Sequence, residues 1–236
     1  MNPISTPLVY TANGPKSAPT ILFLHGLGVS SWMWQDQIQA LSDEYHCLAV
    51  DLPGNGESYQ VEWRSLADTA VRLATLIRQQ SGDRKAHVVG LSLGGYVALA
   101  LLADHPQVVE TVMVSGVTTQ PFPRQWLFRP LVALMSRAYR WNVSIKLMTR
   151  MMQLPDEVVP LYQRDSKRIS ISMFRRVYGE LFDYSLPPQL GRLPHRVLAV
   201  AGDHEAGLIR NSLGDFPALI PNAMAALVPD AHHGWN

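Results

Sequence analysis

Ser92 interrupts an otherwise apolar stretch and has a glycine two positions away on each side, in the pattern Gly90-Leu91-Ser92-Leu93-Gly94. At a sharp strand-to-helix turn, a serine adopts a strained backbone conformation, and side chains at the two glycine positions would collide with neighbouring backbone. Such a turn would lift the hydroxyl above the carboxyl end of a sheet as a nucleophile. The alternative interpretation is a glycine-rich turn with an incidental serine.

The serine would need a base, because its hydroxyl is a weak nucleophile until a neighbouring group accepts the proton. The chain has eight histidines, and most of them lie at predicted strand starts or helix ends. His232 and His233 differ, since they follow the last predicted strand, where a loop can return to the carboxyl edge of a sheet. Because the two are adjacent, we expect one of them to face Ser92.

A third group must orient the histidine and stabilise its charged form. The segment "VAGDHE" follows a late predicted strand and offers Asp203 and Glu205. The loop after the preceding strand, "SGVTTQPFPR", contains no acid. Both carboxylates therefore remain candidates on position alone.

Acyl transfer through a serine also needs N–H donors for the oxyanion of the tetrahedral intermediate. The first candidate is the backbone N–H of Leu93, directly after the serine. The second is the N–H of Leu27 in the glycine-rich loop "HGLG", which follows the first long apolar run.

The elements that must position these residues alternate in type along the chain. Short continuous apolar runs are typical of strands covered on both faces, and strand–helix alternation favours parallel pairing with helices on both sides. The sequence therefore predicts an α/β fold with a mostly parallel central sheet. The predicted strands lie within 20–26, 46–54, 86–92, 110–116, 195–205 and the segment beginning "AMAALV", and the predicted helices lie within 31–44, 61–80, 94–106 and the segment "GLIRNSLGDFPALI".

Residues 119–185 break this alternation, because they contain several helix-like pieces punctuated by prolines and no obvious strand. The predicted organisation is a core of residues 1–118 and 186–236 with a helical cap or lid at 119–185. The insertion has eleven Lys and Arg against five Asp and Glu, and five of the nine methionines. It is either a solvated basic face over an apolar underside, or a lid with adaptable methionines and a basic rim favouring anionic substrates.

Composition excludes several other classes. The 236 residues are 47% hydrophobic, with a net charge of +1, which suits one globular domain with a modest insertion and gives no general case for nucleic-acid binding. Cys47 is the single cysteine, so neither a disulfide framework nor a cysteine metal cluster is expected. No apolar run reaches the length of a membrane span, and the first residues lack signal-peptide character, so the expected location is cytoplasmic.

Five segments together give the sequence a resemblance to the α/β-hydrolase superfamily. "LFLHGLGVSSWMW" is similar to its oxyanion loop and following helix, "DLPGNGES" to a second loop, and "GLSLGG" to its nucleophile elbow. "VLAVAGDHE" and "VPDAHHGWN" resemble its acid strand and histidine loop, in the family's order of serine, acid and histidine.

The resemblance also implies roles for individual residues. The family commonly places its acid three residues after the strand-ending glycine, which points from Gly202 to Glu205 rather than Asp203. Its histidine usually follows a P-x-x-G segment, which aligns His233. The implied catalytic residues are thus Ser92, Glu205 and His233, with the N–H groups of Leu27 and Leu93 as oxyanion donors and no cofactor or metal.

For function, the resemblance implies a serine hydrolase that cleaves carboxylic esters or similar small acyl compounds. Carbon–carbon bond hydrolysis or acyl transfer by the same residues, and ligand binding without catalysis, remain alternatives. A serine at the elbow argues against the dehalogenase and epoxide hydrolase branches, which use aspartate there.

Overall fold

The structure, a computed structural model, describes residues 6–151 and 154–234. Within these residues one seven-stranded sheet has the order β1-β3-β2-β4-β5-β6-β7. The first strand pairs antiparallel with β3, and every other pairing is parallel, so the predicted fold class is confirmed. The strands are β1 (Tyr10–Asn13), β2 (Thr20–Leu24), β3 (His46–Val50), β4 (Ala86–Leu91), β5 (Val109–Ser115), β6 (Arg196–Gly202) and β7 (Ala223–Val228).

Helices surround this sheet, with short 3₁₀ turns at Ser31–Trp34, Gly56–Ser58, Pro106–Val108 and Pro188–Arg192. The α-helices are α1 (Gln35–Leu41), α2 (Leu66–Gln80), α3 (Leu93–Asp104), α4 (Gln125–Ala138), α5 (Asn142–Met151), α6 (Val159–Arg168), α7 (Ile171–Phe182), α8 (Gly207–Ser212) and α9 (Asp215–Leu219).

Both faces of the central strands are buried, which explains their continuous apolar sequence. In β2, Leu22 and Leu24 join a large core with α2 and α3, whereas Ile21 and Phe23 join a second core. The second core includes Trp34 and is covered by the side chains of α1. The alternation within one strand therefore divides its side chains between two layers.

The structure differs from the predicted elements at several places. The edge strand β1 was not predicted. The helix expected over 61–80 begins at Leu66, because Ser65 caps it by accepting a hydrogen bond from the N–H of Asp68. The single helix expected after residue 207 is two short helices, α8 and α9, separated at 213–214.

The parallel strands bring their carboxyl ends, and the loops that follow them, to one edge of the sheet. The loop after β2 begins with His25, and Ser92 directly follows β4. Gly116 directly follows β5, and the segment after β6 begins at Asp203. The structure thus places every predicted site segment at this edge.

Between β5 and β6, the described residues of 119–185 are helices and loops, and contain no strand. The four helices are α4 to α7. None of the helices in the described part of the chain combines the length and the apolar character needed to cross a membrane.

Candidate active site

Ser92 occupies a strained position between β4 and α3. Its φ is 52° and its ψ is −118°, which a residue with a side chain rarely adopts. A Cβ at Gly94 would overlap the carbonyl oxygen of Leu24, and a Cβ at Gly90 would lie 2.7 Å from the backbone nitrogen of Gly95. Glycine at both flanking positions therefore lets the chain turn sharply, which is the reason expected from the sequence.

Two free backbone N–H groups lie beside the serine. Leu93 is the first residue of α3, and first-turn N–H groups have no acceptor inside their own helix. Within the described residues, no hydrogen bond uses the N–H of Leu93 or of Leu27, whereas the N–H of Gly28 donates to Asn55. A Cβ on Gly26 would lie 3.6 Å from the Cβ of Ser92, so the loop of Leu27 borders the serine.

His25 holds this loop in place. Its Nδ1 lies 2.7 Å from the carbonyl oxygen of Gly26, and its Nε2 accepts a hydrogen bond of 2.9 Å from the N–H of Leu52. The ring is completely buried, and burial lowers the pKa of His25. With both nitrogens engaged, this histidine is a structural part of the loop and not a base.

His233 is paired with Glu205. The distance from His233 Nδ1 to Glu205 Oε1 is 3.0 Å. The Glu205 side chain is completely buried, while the His233 side chain is 47% exposed. Glu205 Oε2 is also buried and has no hydrogen-bond partner within the described part of the chain, so the imidazole is the main polar partner of this carboxylate.

Asp203 plays a different part in the same region. Its Oδ1 accepts a hydrogen bond of 3.2 Å from the N–H of Ala231, and the N–H of His204 donates to the carbonyl of Ala231. Backbone hydrogen bonds from the histidine loop, the one from Asp230 foremost, lower the pKa of Asp203. Asp203 therefore fixes the backbone of the histidine loop, whereas Glu205 contacts the ring.

His232 points elsewhere. Its ring stacks on His204 with 5.0 Å between centroids.

Nearby, one ligand atom from each of Asp203, His204 and Asp230 lies within 4.8 Å of the others, a grouping that could hold a metal ion. The Asp230 side chain is 99% exposed, and exposed acidic groups commonly lie this close without a metal.

Gly116 makes room for the His233–Glu205 pair, a role that the sequence did not reveal. Its φ is +68°, and a Cβ there would lie 2.6 Å from His233 Cε1 and 3.3 Å from Glu205 Oε1. The preceding residue, Ser115, accepts a hydrogen bond of 2.8 Å from the N–H of Ser92. The end of β5 therefore lies between the serine turn and the acid–histidine pair.

Ser92 and His233 are brought to the same edge but are not bonded. No hydrogen bond joins Ser92 Oγ to the His233 ring in the described structure, although both residues are included in it. Such hydrogen bonds are often long or absent without substrate and form in the reacting complex.

A buried hydroxyl group on α3 was also missed from the sequence. The Tyr96 hydroxyl accepts a hydrogen bond of 2.9 Å from the N–H of Thr118 and lies 3.0 Å from the Thr118 hydroxyl. Burial raises the pKa of Tyr96, and the negative charge of Glu205 raises it further. Because Tyr96 is on α3, this contact ties the serine helix to the loop after β5.

The helical segment contacts the loops around the site. A Cβ on Gly28 would collide with the hydroxyl of Tyr139, which directly follows α4. Asp165 of α6 is completely buried and accepts hydrogen bonds from the Ser30 hydroxyl at 2.7 Å and from Trp32 Nε1 at 2.8 Å. The loop after β2 is therefore held on its outer side by residues of the 119–185 segment.

A comparison with known families matches residues 19–132 to the alpha/beta hydrolase fold. This range includes the loop after β2, the serine turn and α3. The match covers just under half of the chain and supports the α/β-hydrolase superfamily. At that level it agrees with the resemblance seen in the sequence.

Among curated relatives, an AB hydrolase superfamily protein of Gibberella zeae is 38% identical over 117 residues, which cover 49% of this chain and 41% of that protein. An esterase of Mycobacterium tuberculosis is 35% identical over 113 residues, covering 46% and 36%. The chain thus spans less than half the length of these two relatives. The solved enol-lactonase of Burkholderia xenovorans LB400 matches with a TM-score of 0.78 at 21% identity, over 96% of this chain and 89% of that one.

Proposed function

We propose that this α/β-hydrolase is a serine hydrolase of carboxylic esters. The observation that carries the proposal is the buried Glu205 paired at 3.0 Å with His233, beside the strand end that holds the strained Ser92. A carboxylate on one ring nitrogen fixes the tautomer and leaves the other nitrogen free to accept a proton.

The proposed reaction begins with attack of Ser92 Oγ on the ester carbonyl carbon, while His233 Nε2 takes the hydroxyl proton. The carbonyl electron pair becomes an oxyanion, which the N–H groups of Leu27 and Leu93 bind. As the tetrahedral intermediate collapses, the His233 imidazolium gives the proton to the leaving alkoxide. Water, deprotonated by the same ring, then releases the acid and restores Ser92.

Glu205 is the proposed partner of the imidazolium. As the ring becomes charged, a buried carboxylate with one otherwise unsatisfied oxygen offers strong stabilisation, because little solvent screens the pair on the carboxylate side. The roles of Asp203 and His232 in this proposal are structural, since their contacts are with loop backbone and with His204.

Relatives support an ester substrate. One curated relative is named an esterase, and the similar solved structure is an enol-lactonase, whose name denotes a cyclic ester as substrate. We also propose that residues 119–185 form a cap over a core of 1–118 and 186–236, because Tyr139 and Asp165 of that segment contact the loop after β2.

The test is turnover of p-nitrophenyl esters of graded acyl length by purified Ser92→Ala protein. We expect hydrolysis to fall to background, and labelling by a fluorophosphonate probe to disappear. Ser65→Ala is the matched control, because Ser65 caps α2 away from the site. Unchanged ester turnover in Ser92→Ala would refute the assignment.

A second pair of variants tests the base. His233→Asn should lose most of the turnover, while His232→Asn should keep most of it, because His232 stacks on His204 instead of contacting Glu205.

The same assays distinguish the alternative functions. A wild-type protein that is labelled by the fluorophosphonate probe but cleaves no ester would favour carbon–carbon hydrolysis or acyl transfer. A correctly folded protein that does neither would be a ligand-binding member of the superfamily.

A further inference from the structure

Helix α4 carries an apolar stripe on its outer side. Leu127, Leu131 and Leu134, spaced at i, i+4 and i+7, are 47–60% exposed, whereas Val132 and Ser136 on the opposite side are buried. A surface helix normally presents polar residues on the side away from the core. The solvent-facing side of α4 is therefore apolar, and the described residues leave about half of each of these leucines exposed.

Helix α5 and the turn before it continue this character. Trp141, in the turn, is 61% exposed, and Val143 and Leu147 are exposed on the side opposite the buried Ile145. Nine of the fifteen large hydrophobic residues exposed in the described structure lie between positions 126 and 147. Exposed apolar side chains this concentrated mark a surface that binds something.

The same stretch is basic throughout. Between residues 116 and 155 the sequence has six Lys and Arg and no Asp or Glu. Arg129 pairs with Asp183, and the remaining five form no ion pair within the described residues. These five are Arg124, Arg137, Arg140, Lys146 and Arg150. Five cations without an ion pair in the described part of the chain, beside exposed apolar side chains, suit a partner that offers both negative charge and apolar volume.

We propose that the exposed surface of α4 and α5 docks onto an anionic lipid surface. Apolar side chains would enter the boundary between headgroups and acyl chains, with the basic residues among lipid phosphates, as in helices that lie in a membrane interface. The exposed Trp126 and Trp141 suit that depth, because indole rings prefer the interface. Helices of 14 and 10 residues are too short to span a bilayer, so the surface lies on it.

The positive charge of this surface also favours an anionic lipid surface over a second copy of the chain as the partner. Two copies joined through this surface would place acid-free, basic helices against each other, and like charges in contact oppose association. Nucleic acid would satisfy the cations but would leave the exposed leucines without an apolar partner.

The test is co-sedimentation of the full chain with phosphatidylcholine vesicles, with and without phosphatidylglycerol. We expect binding to the anionic vesicles, a blue shift of tryptophan emission on binding, and release at high salt. Leu131→Glu combined with Leu134→Glu should lower the partition coefficient about tenfold or more, since two apolar side chains leave the interface. Arg137→Gln combined with Lys146→Gln should lower it on anionic vesicles and leave neutral vesicles unaffected.

Leu219→Glu is the matched control, because Leu219 is 53% exposed but lies on α9. It should bind vesicles like the wild type, and circular dichroism checks the fold of each variant. Absence of wild-type binding to anionic vesicles would overturn the proposal, as would equal losses in the Leu219→Glu variant. A dimer that the leucine variant dissociates, without vesicle binding, would identify a second copy as the partner and also overturn it.

Discussion

Replacing Gly116 by alanine tests the geometry of the proposed site through a residue that takes no part in the chemistry. The new Cβ would lie 2.6 Å from His233 Cε1 and 2.9 Å from its Nδ1. Non-bonded carbon atoms prefer separations of about 3.5–4.0 Å, so the ring must move by roughly 1 Å. The substitution therefore displaces the imidazole while it leaves Ser92, Glu205 and His233 chemically intact.

The expected loss follows from this displacement. A misplacement of about 1 Å at a reacting group costs about 100-fold in rate, or about 2.7 kcal/mol of transition-state stabilisation. The backbone adds a separate effect, because alanine at a φ of +68° costs roughly 1–2 kcal/mol of folding free energy. For a chain of this size, such a loss lowers the melting temperature by about 2–8 °C.

Steady-state hydrolysis of a p-nitrophenyl ester, measured well below the melting temperature, separates the two effects. We expect kcat of Gly116→Ala to fall about 100-fold. Gly14→Ala is the control for backbone strain, because Gly14 has a φ of +84° and lies after β1, and its Cβ would meet the backbone of Ser42 and Tyr45. This control should lose stability and keep its kcat. A folded Gly116→Ala protein with kcat within twofold of wild type would refute the placement of His233 as the base.

Two further predictions address the acid and a buried histidine. Glu205→Gln removes the charge beside the imidazole, so its kcat for ester hydrolysis should fall about 100-fold or more. Asp203→Asn can still accept the backbone hydrogen bond and should lose much less activity. Equal losses in the two variants would contradict the assignment of Glu205 as the acid. Burial lowers the pKa of His25, so the unfolded chain binds a proton more readily than the folded one, and the free energy of unfolding should decline as pH falls below about 6.5. In His25→Gln the amide oxygen can still accept the hydrogen bond from the N–H of Leu52, so the decline should be smaller in urea titrations between pH 5 and 8. An unchanged slope would assign the effect to other groups such as His46, because burial also lowers the pKa of His46.

The strands of the central sheet could be predicted because they are buried on both faces. Such strands need apolar side chains at successive positions, and this gives a continuous apolar run in the sequence. The edge strand β1 has no such run. Its four residues, "YTAN", are half-buried or exposed, and they are held by pairing with β3. A strand that is stabilised mainly by backbone pairing with its neighbour has no characteristic apolar pattern in its own side chains.

Helix boundaries show a similar division. The start of α2 at Leu66 had a local signal, since Ser65 and Asp68 have the spacing of a capping serine and its N–H donor. The break between α8 and α9 falls at Gly214, a poor helix former, inside an otherwise helical pattern. Both boundaries have a local sequence signal. The apolar periodicity of the helices does not show them, because it continues past the start of α2 and through the break between α8 and α9.

At the site, the positions of the candidate residues on strand ends could be inferred from order along the chain. The choice between Asp203 and Glu205 could not be made from position, because both belong to one short turn and differ in which part of the histidine loop they meet. The importance of Gly116 depends on a contact with His233, which is 117 positions further along the sequence. Such a contact exists only after the sheet has formed.

The position of the helical segment between β5 and β6 has a consequence for dividing the protein. A cut in the turn at 139–141 would leave β1 to β5, with Ser92, on one fragment and β6 and β7, with Glu205 and His233, on the other. The fragments would meet along the five-residue register between β5 and β6, from Thr111 with Arg196 to Ser115 with Val200. The fold is thereby suited to fragment complementation, in which the proposed nucleophile and the acid–histidine pair come from separate chains and the proposed ester hydrolysis would report their reassembly.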